Sequence, residues 1–261
     1  MRRVAHSNLC TGSQPTLRST FNPERMRPST KIALVAGGLL IAGVAVFGGV
    51  YLTLFNPKPV AAVTLPTPSP IPSASSSGAA ALSAAWKIST GSFVGYRVRE
   101  QLANLPAPSD AVGRTSGVTG TASVATNTDG TASVTDITVK ADLTQLASDS
   151  GRRDGYVQNN SLNTQQFPTA TFVSTAPFTC PATVVSGAAG DTTVKGRFTI
   201  HGVTKDVSIP LKIQRSGTGV NIVGSYQFHW GDYGVQQPSV PVASVQSDPT
   251  IEISLVLTPA T

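Results

Sequence analysis

Between residues 86 and 258 the chain alternates apolar and polar residues with period two, the pattern of half-buried strands. In "FVGYRVRE", Val94, Tyr96 and Val98 share one face, while Arg97 and Arg99 take the other. In "VTGTASVAT", Val118, Ala122 and Val124 align; in "ITVKADL", Ile137, Val139, Ala141 and Leu143 do. Ala132 and Val134 are out of phase with that last set. Such a slip within one strand predicts a β-bulge near Thr135–Asp136. The pattern resumes with Ala170, Phe172 and Phe178, then Val194, Phe198 and Ile200, then Val207, Ile209, Leu211 and Ile213. Val220, Ile222, Tyr226, Phe228 and Trp230 form another row, and Ile251, Ile253, Leu255 and Leu257 close the chain. The one strong break, residues 146 to 168, predicts a single short helix ending before Phe167–Pro168.

About eight strands with one apolar face each predict an all-β domain, and an extended antiparallel barrel leaves no open edge. Many inward positions are small: Gly95, Gly120, Ala122, Ala132, Ala141, Gly196 and Gly224. They are compatible with a hollow lumen. They are equally compatible with close packing and strand bends in a filled core.

Upstream the pattern is different. Residues 32 to 55 carry no charge, and as a helix they run about 36 Å, enough for a hydrocarbon core of about 30 Å. A cleaved signal peptide is the alternative, with Ala61 and Ala62 downstream, but its apolar core is shorter, about 7–15 residues. Arg18, Arg25, Arg27 and Lys31 precede the span and only Lys58 closely follows it. The positive flank places the N-terminus in the cytoplasm and the rest outside, as a single-pass plasma-membrane protein. The expected organisation is a basic, disordered cytoplasmic tail at 1–31, a membrane helix at 32–55, a Pro/Ser/Ala-rich linker at 56–85 and a β-domain at 86–261. The linker reads as a tether holding the domain off the bilayer.

The net charge of +6 adds no nucleic-acid signal. Residues 1 to 58 hold seven basic residues and one acid, so the β-domain is neutral and shows no basic face. Cys10 and Cys180 form no disulfide framework and no metal-spaced pair.

Several short elements recur in an order that resembles one family. They are "WKI" at 86–88, "GSFVGYRVRE" at 91–100, "GRT" and "VTG" between 113 and 120, "RRD" at 152–154, "FPTATF" at 167–172, "VKGRFTIHGVTKDV" at 194–207 and "DYGVQQP" at 232–238. Together they resemble the YceI-like family, whose members are lipid- or polyisoprenoid-binding. "YRVRE" and the N-terminal anchor are similar to its actinobacterial type. The resemblance implies a lipocalin-like barrel, usually exported, whose lumen holds a long isoprenoid chain. It implies no catalytic residue and no cofactor. The anchor departs from the family's core pattern.

If the barrel is hollow, ligand contacts are expected from Tyr96, Val98, Val134, Val139, Phe172, Phe198, Ile200, Ile209, Leu211, Ile222, Tyr226 and Phe228. At a barrel mouth, Arg152 and Arg153 are candidates to fork onto an anionic head group, or, with Asp154, to brace the helix as a structural clamp. His201 and His229 have no Cys or acid at ligand spacing, so no metal site is expected, and no Gly-x-Ser-x-Gly elbow occurs. His229 is expected to point outward. "HGVT" at 201–204 reads as a four-residue hairpin link in which Gly202 takes positive φ. The expected function is a membrane-anchored, extracytoplasmic protein that encloses an apolar, isoprenoid ligand. An enzyme using the same cavity and a non-binding envelope interaction module remain as rivals.

Overall fold

A computed structural model describes residues 60–69, 84–103 and 105–260. The expected membrane span at 32–55 and cytoplasmic tail at 1–31 lie outside the described residues, and none of the described helices is long and apolar enough to cross a membrane. The strands are β1 (Ala84–Ile88), β2 (Phe93–Leu102), β3 (Ser109–Thr115), β4 (Val118–Thr126), β5 (Ala132–Asp142), β6 (Thr169–Ser174) and β7 (Phe178–Cys180). They continue as β8 (Ala189–Ile200), β9 (Val203–Ser216), β10 (Gly219–Gln227), β11 (Ser239–Val240), β12 (Ala243–Val245) and β13 (Thr250–Pro259).

Most of these segments merge into eight staves. β1 pairs with the Leu257–Pro259 end of β13 and β2 with its Thr250–Ser254 end, so β1 and β2 are one strand broken at Thr90–Gly91. Gly91 takes φ +90° there, a conformation that favours glycine. β3 and β4 likewise form one stave against β2 and β1, and β6 and β7 form one against β5. With β5, β8, β9, β10 and β13 the ring closes as an all-antiparallel eight-stranded barrel. Closure pairs every stave and leaves no edge for aggregation. The small strands β11 and β12 extend β2 as a hairpin beyond the ring.

The expected bulge is present. Thr121 pairs with Thr138 and Ser123 with Thr135, so Asp136 and Ile137 on β5 face Ala122 alone. Asp136 adopts φ +51°, and the Ile137 N–H, out of the ladder, donates to Ser174 Oγ at 3.0 Å.

The β8–β9 corner is tighter than the sequence suggested. Ile200 pairs with Val203, leaving a two-residue loop rather than four. His201 and Gly202 both take positive φ, +53° and +76°, the combination that matches a two-residue hairpin to the strand twist. His201 is held there by Phe167, whose ring meets it edge-on at 4.7 Å, and by an Nδ1 contact of 3.3 Å to the Tyr233 carbonyl oxygen.

Each end of the barrel has its own apolar cluster. At one end Leu143, Leu146, Leu162, Phe198, Ile200, Phe228 and Tyr233 pack together beneath the helix Gly151–Tyr156, which continues as a wider π turn over Val157–Ser161. This is the one helix expected between 146 and 168. At the other end Ala132, Cys180, Val184 and Ile213 pack with a short helix, Ala182–Val185, that the sequence reading did not anticipate.

Candidate ligand-binding cavity

Between these walls lies a cavity of about 560 Å³. That falls in the range of roughly 300–1,000 Å³ usual for ligand sites. The burial pattern of β10 shows the hollowness directly. Its lumen-facing Val220 and Ile222 are only half-buried, whereas Asn221 and Val223, on the opposite face, are buried at 8% and 5% exposure. The outward pair is covered by residues 61–66, and it is the half-burial of the lumen-facing pair that marks the hollow.

All twelve apolar and aromatic positions expected at the lumen line this cavity: Tyr96 and Val98 on β2, Val134 and Val139 on β5, Phe172 on β6, Phe198 and Ile200 on β8, Ile209 and Leu211 on β9, Ile222 and Tyr226 on β10, and Phe228 just after it. Arg152 and Arg153 line it too. The small residues divide. Ala122, Ala132 and Ala141 form part of the wall. Gly120, Gly196 and Gly224 instead mark close approaches: a Cβ at Gly196 would strike Phe172 and the Val173 carbonyl. Gly95 lines the cavity, yet the Gly113 carbonyl crowds it in the same way. These glycines permit strand crossing and aromatic tilt rather than making lumen space.

The aromatic positions form a stacked run. Phe228 meets Tyr233 edge-on at 5.3 Å and lies parallel to Tyr226 at 6.2 Å, and the two tyrosine hydroxyls are 3.2 Å apart. Tyr233 is fully buried, and burial followed by its bond to Tyr226 pushes its phenol well above the usual range. It therefore stays neutral. Tyr233 packs behind the lining rather than in it, on the 3-10 turn Trp230–Tyr233, where period two no longer applies.

Polar chemistry gathers at the end covered by Gly151–Tyr156, and Arg215 adds a cation at the other end, where it donates to the Val185 carbonyl at 3.1 Å. Ser150 caps the helix, its hydroxyl accepting from the Arg153 N–H. Asp154 braces the approach to the helix by accepting from the Ser148 N–H at 2.9 Å and from its hydroxyl at 2.6 Å. Arg153 reaches across to β2, donating to Glu100 at 2.6 Å and to Asp149. Burial by itself lowers the Arg153 pKa, but Glu100 and Asp149 outweigh it and raise it. Both arms of the guanidinium are thus engaged by carboxylates, which is the structural-clamp alternative. Asp154 contributes through Ser148 rather than by pairing with an arginine. Arg152 is exposed at the rim and makes no ion pair among the described residues.

Glu100 was missed although alternation points to it: Tyr96, Val98 and Glu100 lie in one phase. Only 7% exposed, it is the single carboxylate lining the cavity among the described residues. The rim is completed by the β11–β12 hairpin, whose Pro238, Val240 and Val245 face the cavity and whose Val242 is 63% exposed. His229 points outward, as expected, with its Nδ1 against Asp248.

The geometry favours holding over reacting. Cys180 lines the cavity, but burial raises its thiol, so it is not a ready thiolate. The Tyr96 phenol is likewise pushed up by burial, and its hydroxyl has no hydrogen-bond partner.

The model of the YceI-like domain matches residues 86–257. UPF0312 proteins of Shewanella sp. strains MR-4 and ANA-3 are each 31% identical over 128 residues, covering 44% of this chain. The match spans 61% of the length of these curated relatives. Among solved structures, a polyisoprenoid binding domain from Saccharophagus degradans has a TM-score of 0.49 at 16% identity, covering 68% of this chain and 99% of that one. BcnA from Burkholderia cenocepacia has a TM-score of 0.45 at 19% identity, covering 64% and 96%. The family model spans well over half of the sequence, and on that match the chain belongs to the YceI-like family.

Proposed function

We propose that this protein is a membrane-anchored, extracytoplasmic carrier or store that encloses a long apolar chain, of the isoprenoid class, in its barrel. The observation that carries the reading is the cavity of about 560 Å³, lined mostly by apolar side chains, with Glu100, Arg152 and Arg153 at one end and Arg215 at the other. Such a site suits a ligand with one long greasy part and a small polar end. Burying apolar carbon yields about 0.8 kcal/mol per CH₂, so a five-carbon isoprene unit contributes about 4 kcal/mol. Association costs on the order of 4–15 kcal/mol. Several units are needed before holding becomes tight, which favours long chains over short ones. The isoprenoid class is supported by the sequence resemblance, and the anchor by the 24 uncharged residues at 32–55 behind a basic flank.

The test is lipid content. Val139 and Ile222 are half-buried and line the lumen from different staves. Val139→Trp/Ile222→Trp fills space that the ligand would occupy. The full chain, extracted with organic solvent, is expected to release a long-chain isoprenoid by mass spectrometry, and the doubly substituted chain to release less than a tenth as much. Equal recovery from both proteins, or none from the wild type, overturns the proposal.

A further inference from the structure

Arginine enters the lumen at a second place. On β9 the inward row Ile209, Leu211 and Ile213 continues one step further, to Arg215, and all four line the cavity. Register sets Arg215 level with Val220 on β10, Leu257 on β13 and Ile88 on β1, which line it too. The short helix Ala182–Val185 packs at this end.

The guanidinium there is largely unused. Its Nη1 donates to the Val185 carbonyl at 3.1 Å, which caps the short helix. Its Nε is buried and has no hydrogen-bond partner. No carboxylate pairs with Arg215 among the described residues. The acids on the neighbouring strand and turn are exposed and engaged elsewhere: Asp191 pairs with Lys212 at 2.9 Å, and Asp129 accepts from the Thr131 N–H at 2.9 Å and its hydroxyl at 2.6 Å. Arginine carries five N–H donors in a planar fork, and a charge taken out of water is ordinarily paired. Helix capping accounts for one donor. It leaves the edge made by Nε and Nη2, the geometry that grips a carboxylate or phosphate in two parallel bonds.

The opposite end disfavours an anion. Arg153 is already held there by Glu100 and Asp149, Asp154 adds a third carboxylate, and Arg152 stands exposed at the rim. Three carboxylates against two cations leave that end negative, and all three act on the lumen-lining Tyr96. The lumen is therefore polarised. Its positive end, Arg215, lies about 20 Å along β9 from Ile209, a member of the cluster beneath Gly151–Tyr156. A field of that sense favours one direction for an amphiphile in the barrel. We propose that Arg215 is the head-group site, forking onto the phosphate or carboxylate of a ligand whose apolar tail runs back toward Ile209. The assignment rests on the apolar-chain reading above and adds the charge of the head and the direction in which the chain lies.

In the experiment the full chain, stripped of lipid in detergent, is titrated with one prenyl chain carrying different heads: geranylgeranyl phosphate, geranylgeranoic acid and geranylgeraniol. Trp86 and Trp230, the chain's two tryptophans, both line the cavity and report binding by fluorescence. Both anionic probes are expected to bind about tenfold or more tighter than the alcohol, as a charge-assisted fork allows, and the tighter of them names the head. Arg215→Met is expected to bring both down to the affinity of the alcohol and to leave the alcohol unchanged. Arg215→Lys keeps the charge, loses the planar fork and is expected to fall between. Arg152→Met removes the exposed cation at the other rim and is expected to keep the full preference. Equal weakening of all the probes in both Arg215 variants makes Arg215 a helix cap and overturns the site, as does a preference lost with Arg152 instead. A wild type that binds anions and alcohol alike overturns the site alone, whereas one that binds none of them overturns the apolar-chain reading as well.

Discussion

Arg153 is where a structural clamp and a head-group fork make opposite predictions. In the structure its guanidinium bonds Glu100 at 2.6 Å and also Asp149. Arg153→Met keeps much of the side-chain length and removes the charge. Glu100, 7% exposed, is then a carboxylate without a cation. Breaking a buried pair from one side costs about 3–5 kcal/mol. The Arg153 side chain is 20% exposed, so water partly compensates and the lower end, about 3 kcal/mol, is expected. At about 2–4 °C per kcal/mol for a domain of this size, the melting temperature falls by about 6–12 °C. Glu100→Gln/Arg153→Met removes both charges and is expected to recover about half of that loss, so the coupling is about 1.5 kcal/mol plus whatever Glu100→Gln costs alone. Thermal unfolding of the four proteins in one detergent measures the cycle, and extraction of each measures bound lipid. The clamp predicts coupled stability and nearly unchanged lipid content. A neutral Arg153→Met that loses its ligand would refute this reasoning and make Arg153 a head-group contact.

Three further outcomes follow from the same geometry. His201→Ala puts a β-carbon side chain without a ring at φ +53° and loses the edge contact with Phe167. It is expected to cost about 1–2 kcal/mol in denaturant unfolding and leave lipid content unchanged, with His201→Asn costing less because Asn tolerates that conformation. Asp110 gives the pH dependence: burial pulls its carboxyl up, but hydrogen bonds from Arg99 and Arg97 outweigh this and hold it below its ordinary value of about 3.9. A depressed folded pKa means stability is fully present above about pH 4 and is lost as pH falls through the folded value. Melting curves are therefore expected to drop below about pH 4, and Asp110→Asn to flatten that drop; an unchanged slope counts against the network. Glu252→Gln removes the charge that sets Arg97 and Arg114, and is expected to lower stability and to speed proteolysis within residues 60–69.

The staves were legible because one barrel face meets the lumen and the other meets water, so period two survives over most of the chain. Even the bulge showed, since an extra residue on β5 shifts the phase between Val134 and Val139. Glu100 shows a limit of that reading. Beside Arg97 and Arg99 it looks like one more surface charge, and only its phase with Tyr96 and Val98 places it inside. Glycine was ambiguous for a physical reason: a missing Cβ serves a hollow lumen and a close strand crossing equally, and at Gly196 the neighbouring Phe172 ring and Val173 carbonyl decide for crossing. That residues 60–69 lie along the outer wall was not legible. A Pro/Ala-rich stretch has the composition of a free linker, and the partners that fasten it, Arg97, Arg114, Ser216 and Gly217, are distant in sequence.

The central claim is that the barrel is hollow so that it can hold an apolar chain. Native mass spectrometry of the full chain, released from detergent after purification from its own membranes, tests it most directly. The account predicts one added mass per chain, matching a long-chain isoprenoid, absent from Val139→Trp/Ile222→Trp. A wild-type chain that flies at its bare mass, and takes up no isoprenoid when the lipid is supplied, contradicts it.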